Sequence, residues 1–194
     1  MCLLTFKRTP KHLTWAAAMT AMGSVADRLE QQLDTVTTGE VAVLVRPEAD
    51  QSHTQTKAEL ERALTGMDRT RYHFDVTIDE VGHGWVILRG DRLQDLAQGV
   101  GQMGDVFTAA GLDDRVVAAV FPMRWYDATN QLYRPIYWLY QPRIQGFTPF
   151  VPDGDPSHER RDHDLEIRME AAIRRELPTE RQTAEWFPLW GMPI

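Results

Sequence analysis

The sequence predicts an α+β fold: a two-layer sandwich, with a mainly antiparallel sheet and helices packed on one face. Two observations predict it. Segments with the period of a strand alternate irregularly with helical segments, and two neighbouring strands are joined by a short glycine-containing turn typical of a β-hairpin. No sequence unit repeats at a fixed period, which favours this class over a doubly wound parallel sheet. The type III secretion chaperones, small α+β sandwiches with a groove for partner helices, have a comparable element order.

The composition and net charge of the chain limit the classes of protein to which it can belong. The chain has 194 residues, 43% hydrophobic and 25% charged, as is usual for one soluble globular domain. We expect a flexible N-terminal segment (residues 1–11), followed by a single α+β domain (residues 12–194). The net charge of −7 disfavours nucleic-acid binding, which depends on clustered cations. The single cysteine, Cys2, permits no disulfide within the chain, which fits the cytoplasm.

The N-terminal third predicts one or two helices within residues 12–34. Thr9 and Pro10 form a helix-start signal. Gly23 then interrupts the helical pattern, and Ser24 with Asp27 resembles a second cap. We therefore expect two helices, with one kinked helix as the alternative. The apolar face consists of Trp15, Met19, Met22, Ala26, Leu29 and Leu33.

Three strands and a helix follow. Residues 40–47 carry apolar side chains on both faces, which predicts a strand covered on both sides. Residues 53–64 have a helical apolar stripe. Residues 71–79 alternate apolar and polar side chains, and a turn at 80–84 leads into a strand at 85–89, so these segments predict a β-hairpin.

The next helix has the most regular stripe in the chain. Asp91 is predicted to cap it and Gly111 to end it. Residues 115–122 are then predicted to form a strand, and residues 123–131 a polar connection. The stripe consists of Leu93, Leu96, Val100, Met103 and Phe107.

Residues 132–152 contain the highest density of aromatic side chains. Pro135 and Pro142 bracket a predicted strand, and a turn at Gln145 leads into a second strand at residues 147–151. In an extended strand alternate side chains share a face. Ile136, Trp138 and Tyr140 therefore lie on one face, with Tyr137 and Leu139 on the other.

The C-terminal region begins with turn residues and a helix. Asp162 or His163 is predicted to start this helix, and Leu177 to end it. The closing segment contains prolines that prevent a helix. Its large apolar side chains are expected to fold back onto the sheet: Trp186, Phe187, Leu189 and Trp190.

Residues 99–104 (GVGQMG) match the glycine pattern of dinucleotide-binding sites. That pattern requires a strand directly before the glycines, so that the pyrophosphate meets a helix N-terminus. Here the preceding residues belong to a helical stripe. The glycines are instead expected to let this helix lie close to a neighbour, and we predict no cofactor.

His158 and His163 resemble a zinc-protease pair, but they lie five positions apart, about 140° around a helix. We expect these histidines to be surface residues at a helix start. The alternative is metal capture in a loop, or a hydrolase that uses this region. The ligands of such a loop would be Asp153, Asp155, His158 and His163.

No serine or cysteine nucleophile lies in a recognisable catalytic turn, so we predict no catalytic residue and no metal ligand. The leading hypothesis is a non-enzymatic interaction protein. Tryptophan and arginine are frequent interface anchors. Arg143, Trp186 and Trp190 are the predicted partner-binding residues, whereas Trp138 is expected in the core.

Six blocks of the sequence carry a family resemblance. They are GEVAVLVRP, DEVGHGWVILR, VVAAVFPMRW, IYWLYQPRIQGFTPFVP, RRDHDLEIRMEAAIRREL and EWFPLWGMP. In these blocks the chain resembles the PspA-associated protein PspAB family of archaea and actinobacteria. The chain departs from that family at Cys2, where a glycine is usual, and matches it least in residues 48–70.

The resemblance implies an accessory role in envelope (phage-shock) stress. The implied partners are a PspA-like protein or a membrane-associated stress peptidase, a zinc enzyme of the HtpX kind. It carries no catalytic residues to this chain. The sequence contains no run of 18 apolar residues, so it predicts no transmembrane segment. Weak peripheral contact with an anionic membrane would use Leu3, Leu4, Phe6, Lys7, Arg8 and Lys11.

Overall fold

The computed structural model describes residues 14–154 and 158–194, and confirms the α+β class with an antiparallel sheet. The helices are α1 Trp15–Ser24, α2 Ala26–Leu33, α3 His53–Ala63, α4 Leu93–Ala109 and α5 His163–Ile173. The strands are β1 Thr35–Thr37, β2 Glu40–Val45, β3 His73–Ile78, β4 Gly84–Arg89, β5 Val116–Asp127, β6 Leu132–Gln141 and β7 Gly146–Phe150. In the described part of the chain, no helix is long and apolar enough to cross a bilayer.

The seven strands form one sheet in the order β3-β4-β2-β5-β6-β7, with β1 paired to β5. The 12-residue strand β5 lies at its centre, because β1 and β2 pair along one side of it and β6 along the other. The outer edge of β7 is also occupied. There, the Phe147 N–H donates to the Pro178 carbonyl (2.8 Å), and the Glu180 N–H donates to the Phe147 carbonyl (3.0 Å).

Both faces of the sheet are apolar, as the pattern of residues 40–47 predicted. The first face packs against all five helices. The second face packs against partly buried side chains of the C-terminal segment: Leu189, Trp190, Met192 and Ile194. The Trp190 ring meets Phe150 edge-on, with ring centroids 4.8 Å apart. The prediction that this tail folds back onto the sheet is confirmed.

The aromatic strand β6 divides its side chains between the two faces as predicted. Ile136, Trp138 and Tyr140 enter the helical core, and Leu139 enters the second cluster. Trp138 is fully buried, as expected for a core residue. Pro135 lies inside β6, at a point that β7 does not reach, since β7 pairs only with Tyr137–Gln141.

The helix break was predicted correctly, but its caps were not. The chain breaks at Val25, between α1 and α2, and Ser24 donates its hydroxyl to the Ala21 carbonyl instead of capping α2. The α1 helix begins at Trp15, where the Thr14 side chain accepts from the Ala17 N–H. Thr9 and Pro10 lie outside the described residues, as does the rest of the predicted N-terminal segment.

Three further boundaries differ from prediction. The cap residue of α4 is Arg92, with no side-chain cap, so Asp91 does not start this helix. The predicted connection at 123–131 is mostly strand, because β5 continues to Asp127 and pairs with β6 along its length. The α5 helix ends at Ile173, and its remaining residues up to Leu177 form turns.

The glycine motif lies inside α4, as predicted, and permits close packing against α1 and β4. A Cβ atom at Gly104 would lie 2.5 Å from the Trp15 ring, and one at Gly99 would lie 2.5 Å from Leu88. A Cβ atom at Gly101 would be 3.4 Å from Met19, an ordinary contact. Gly104 is therefore required by packing, whereas Gly101 is not.

We expect Gly104→Ala to lower the free energy of unfolding by about 1–3 kcal/mol, because overpacking against the rigid Trp15 ring outweighs the helix propensity of alanine. The matched control Gly101→Ala is expected to be neutral or stabilising by up to about 1 kcal/mol. Urea unfolding midpoints measure both. Equal stability of the two variants would contradict this account of the motif.

Candidate functional site

A cavity of about 850 Å³ opens at the end of the sheet where β6 finishes. The start of α1, the start of β5, the residues after β6 and the C-terminal segment each contribute to its wall. Trp15, Tyr140 and Phe187 supply aromatic surface. Arg46 and Arg143 supply positive charge, and the carboxylates of Asp113, Asp114 and Glu185 also line the cleft. We refer to this cavity as the Arg143 cleft. Its mixed lining is suited to a polypeptide segment more than to a single small anion.

Arg143, a predicted partner-binding residue, is a highly accessible cation of the cleft. Its side chain is 85% exposed, and its guanidinium lies 3.8 Å from the Glu185 carboxylate. An exposed ion pair at this distance contributes little to stability. Arg46 is more constrained, because it donates to the Asp114 carbonyl (3.0 Å). Arg143 can therefore exchange Glu185 for another carboxylate at small free-energy cost.

Tyr140 forms the buried floor of the cleft. Its ring centroid lies 5.1 Å from that of Trp15 and 5.1 Å from that of Phe147. Burial raises the pKa of the Tyr140 hydroxyl to about 12, because the tyrosinate anion would lose its hydration. The hydroxyl is therefore a neutral group throughout the physiological pH range.

A buried ion pair lies at the start of α5, in the region of the predicted histidines. Glu166 is fully buried, and the Arg161 Nε donates to both of its carboxylate oxygens at 2.9 Å. The Val151 N–H also donates to this carboxylate (2.9 Å), and the His163 Nδ1 lies 3.0 Å from it. Through these hydrogen bonds, Glu166 on α5 connects the residue after β7 with the segment that precedes α5.

The same cluster anchors Trp186, the second predicted partner-binding residue. Arg161 donates through Nη1 to the Trp186 carbonyl (2.8 Å), and the Trp186 indole donates to the Glu180 carbonyl (2.7 Å). The Trp186 ring also meets His163, with centroids 5.9 Å apart. Trp186 is only 4% exposed, whereas Trp190 is half-buried on the second sheet face. Both tryptophans hold the C-terminal segment in place.

The proposed loop ligands do not come together among the described residues. Asp153 lies 3.7 Å from Arg134 and 4.0 Å from Arg160, while His158 is exposed. Asp155 lies outside the described residues. Within residues 14–154 and 158–194, no group of three histidine, cysteine, aspartate or glutamate side chains is placed to hold a metal ion.

A second histidine–carboxylate pair organises the β3–β4 turn. The Asp79 carboxylate accepts from the Trp85 indole (3.0 Å) and the His83 N–H (2.8 Å), and its Oδ2 lies 3.2 Å from the His83 ring. Burial raises the pKa of Asp79, but these hydrogen bonds and the His83 charge outweigh it, so the pKa lies below its usual value. Asp79 therefore fixes the turn as an anion.

Sequence reasoning missed Arg161 and Glu166 as a pair. They are five positions apart, and Arg161 precedes the helix that carries Glu166, so no helical spacing rule joins them. The only available signal was Glu166 itself, which lies next to the apolar Leu165 in the predicted helix.

Comparison with known protein families identifies a match to one family model. A family model described as PspA associated protein B (PspAB) matches residues 5–194, nearly the whole chain. No curated protein and no protein of solved structure matches significantly.

We expect the raised pKa of Tyr140 to make stability fall between about pH 10 and pH 12. In that range the unfolded chain releases the Tyr140 proton and the native state retains it, so the free energy of unfolding drops by roughly 1.4 kcal/mol per pH unit. Below about pH 10 the hydroxyl is protonated in both states and has no effect. Urea unfolding on both sides of pH 10 measures the slope. Tyr140→Phe should have a shallower slope, and an equal slope would contradict the assignment.

Glu166→Gln is expected to lower the free energy of unfolding by about 3 kcal/mol, because it leaves the Arg161 charge, which is only 20% exposed, without its partner. The C-terminal segment should also loosen, so that trypsin cleaves faster after Arg181. The exposed Asp164, on the same helix, provides the matched control Asp164→Asn. Unchanged unfolding and unchanged cleavage in Glu166→Gln would show that the pair does not hold this segment.

Proposed function

Because the chain belongs to the PspAB family, we propose that it is a non-enzymatic accessory protein that binds a PspA-type partner during envelope stress. The description of that family, PspA associated protein B, names the association. The observation that carries the proposal is the Arg143 cleft, whose walls combine aromatic surface with an exposed arginine. Interfaces between proteins are enriched in these residue types.

The ionisable side chains support a binding role over a catalytic one. Glu166 and Arg161 tie the C-terminal segment to α5, and Asp79 shapes a turn. A catalytic acid or base needs an accessible position beside its substrate. These groups instead have their hydrogen bonds occupied by the backbone and by neighbouring side chains.

The predicted anchors take different roles in this proposal. Arg143 would contact the partner directly, by exchanging Glu185 for a partner carboxylate. Trp190 is half-buried and would contribute at the edge of the interface. Trp186 would act indirectly, because its burial positions the residues that follow it.

The rival proposal is a hydrolase that uses His158 and His163. The observation that favours it is the 3.0 Å contact between His163 and Glu166, the arrangement of a general base oriented by a carboxylate. A hydrolase and phosphatase screen, with His163→Gln as the comparison, separates the proposals. Turnover that disappears in His163→Gln would favour the rival.

The cytoplasm remains the proposed compartment, and a membrane-associated stress peptidase remains a second proposed partner. The proposed weak membrane contact falls on residues 1–11, outside the described residues. Liposome flotation with and without these residues tests it, and equal flotation would contradict it.

Arg143→Glu is expected to weaken binding to the purified cognate PspA by about tenfold or more, since it replaces an attraction with a repulsion at an exposed site. Calorimetric titration measures the dissociation constant. Arg175→Glu, an equal charge change on an exposed residue after α5, should bind like the unaltered protein. Failure of the unaltered protein to bind PspA would overturn the proposed function.

A further inference from the structure

The outer half of the β5–β6 hairpin carries an unusual concentration of exposed apolar surface. Among the described residues, five large hydrophobic side chains are exposed, and three of them lie on this hairpin: Tyr126 at 38%, Leu132 at 46% and Tyr133 at 58%. The other two, Val81 and Ile167, lie on separate elements. We call residues 124–135 the hairpin arm.

The strand register places one aromatic pair and one arginine on a common face of the arm. Tyr126 lies opposite Tyr133, and Arg124 lies opposite Pro135. The two tyrosine ring centroids are 5.3 Å apart, and the Arg124 guanidinium lies 5.6 Å from the Tyr133 centroid. By alternation this is also the face of Leu139, so the patch continues the second apolar face of the sheet.

The arm holds these side chains in a fixed arrangement. The Asp127 carboxylate accepts from the Thr129 N–H (3.0 Å), the Asn130 N–H (3.3 Å) and the Asn130 amide (2.8 Å), and so closes the turn. On the other strand edge, the Tyr126 N–H donates to the Asp34 carbonyl (3.0 Å). Two tyrosines on a backbone held in this way present contact area at a low cost in conformational entropy, because each side chain has only two rotatable angles.

The positive charge of Arg124 indicates what kind of partner segment the patch would bind. Among the described residues no carboxylate lies within ion-pair distance of Arg124, although the chain has a net charge of −7. The patch is therefore a local positive site with apolar walls. Its complement is an apolar segment that carries a carboxylate.

The same observations favour a protein over a lipid surface. The aromatic side chains lie on the flank of the arm, whereas residues 128–131 at its tip are exposed and, apart from Ala128, polar. A tip of this kind does not insert into a bilayer.

We propose that Arg124, Tyr126 and Tyr133 form a second docking surface, which binds an apolar segment of the partner protein through a carboxylate on that segment. For the partner's identity, this inference rests on the proposed function. Along β6, seven residue steps from Tyr133 in the arm to Tyr140 in the Arg143 cleft correspond to roughly 23 Å, so the two surfaces can be altered independently.

Titration of purified cognate PspA into variants of the full chain tests the surface. Tyr126→Ala with Tyr133→Ala is expected to weaken binding about tenfold or more, and Arg124→Ala should also reduce the salt dependence of the dissociation constant. Ile167→Ala, an exposed apolar residue elsewhere, is the matched control and should leave affinity unchanged. Full affinity in the arm variants, together with weakened Arg143→Glu, overturns the second surface and leaves the proposed function standing.

Photocrosslinking in cells separates the remaining outcomes. A photoreactive phenylalanine analogue is placed at position 126 or 133, with position 167 as the control. Adducts to a PspA segment with carboxylates among apolar residues support both proposals. Adducts to such a segment in another protein support the surface and contradict PspA as partner. Adducts to a second copy of this chain or to lipid, or no adduct, overturn the surface.

Discussion

The buried ion pair between Arg161 and Glu166 is the interaction on which the two-faced sheet depends. Strands such as β2 are apolar on both faces, so the sheet needs two covering layers. Helices supply one layer. The other is a C-terminal segment without regular secondary structure beyond one short 3₁₀ turn, which has few backbone hydrogen bonds of its own. Arg161 connects that segment to the domain through the Trp186 carbonyl.

This arrangement explains why the C-terminal tryptophans pack within the fold and are not free to form an interface on their own. Trp186 is enclosed between His163 and the backbone of Glu180, and Trp190 lies against Phe150. Aromatic residues in an irregular tail resemble exposed anchors in a sequence. In the folded protein these side chains are buried or half-buried, because the tail packs onto the sheet as one of its covering layers. Of the three predicted partner-binding residues, Arg143 is therefore the exposed one.

The two proposed binding surfaces lie at opposite ends of β6. At one end the Arg143 cleft is framed by residues from four parts of the chain, and at the other the hairpin arm extends past β7. Both carry an arginine beside aromatic rings. In an acidic protein, such sites favour partners with carboxylates next to apolar side chains. A partner that engages both ends would gain affinity from the second contact.

The sequence by itself determined most of the elements, though not the short strand β1, and the direction of their side chains. The alternation in residues 40–45 and 136–140 reports burial on each face, because strand geometry sets a period of two. The stripe of α4, the helical setting of the GVGQMG glycines and the family resemblance followed from the same local patterns. Tertiary structure decided the rest. The length of β5 depends on β6 to pair with it, and Arg115 meets Glu59 at 2.9 Å across 56 positions of chain. Contacts of this kind, including Arg161 with Trp186, have no local period, since their partners are brought together only by strand pairing and packing.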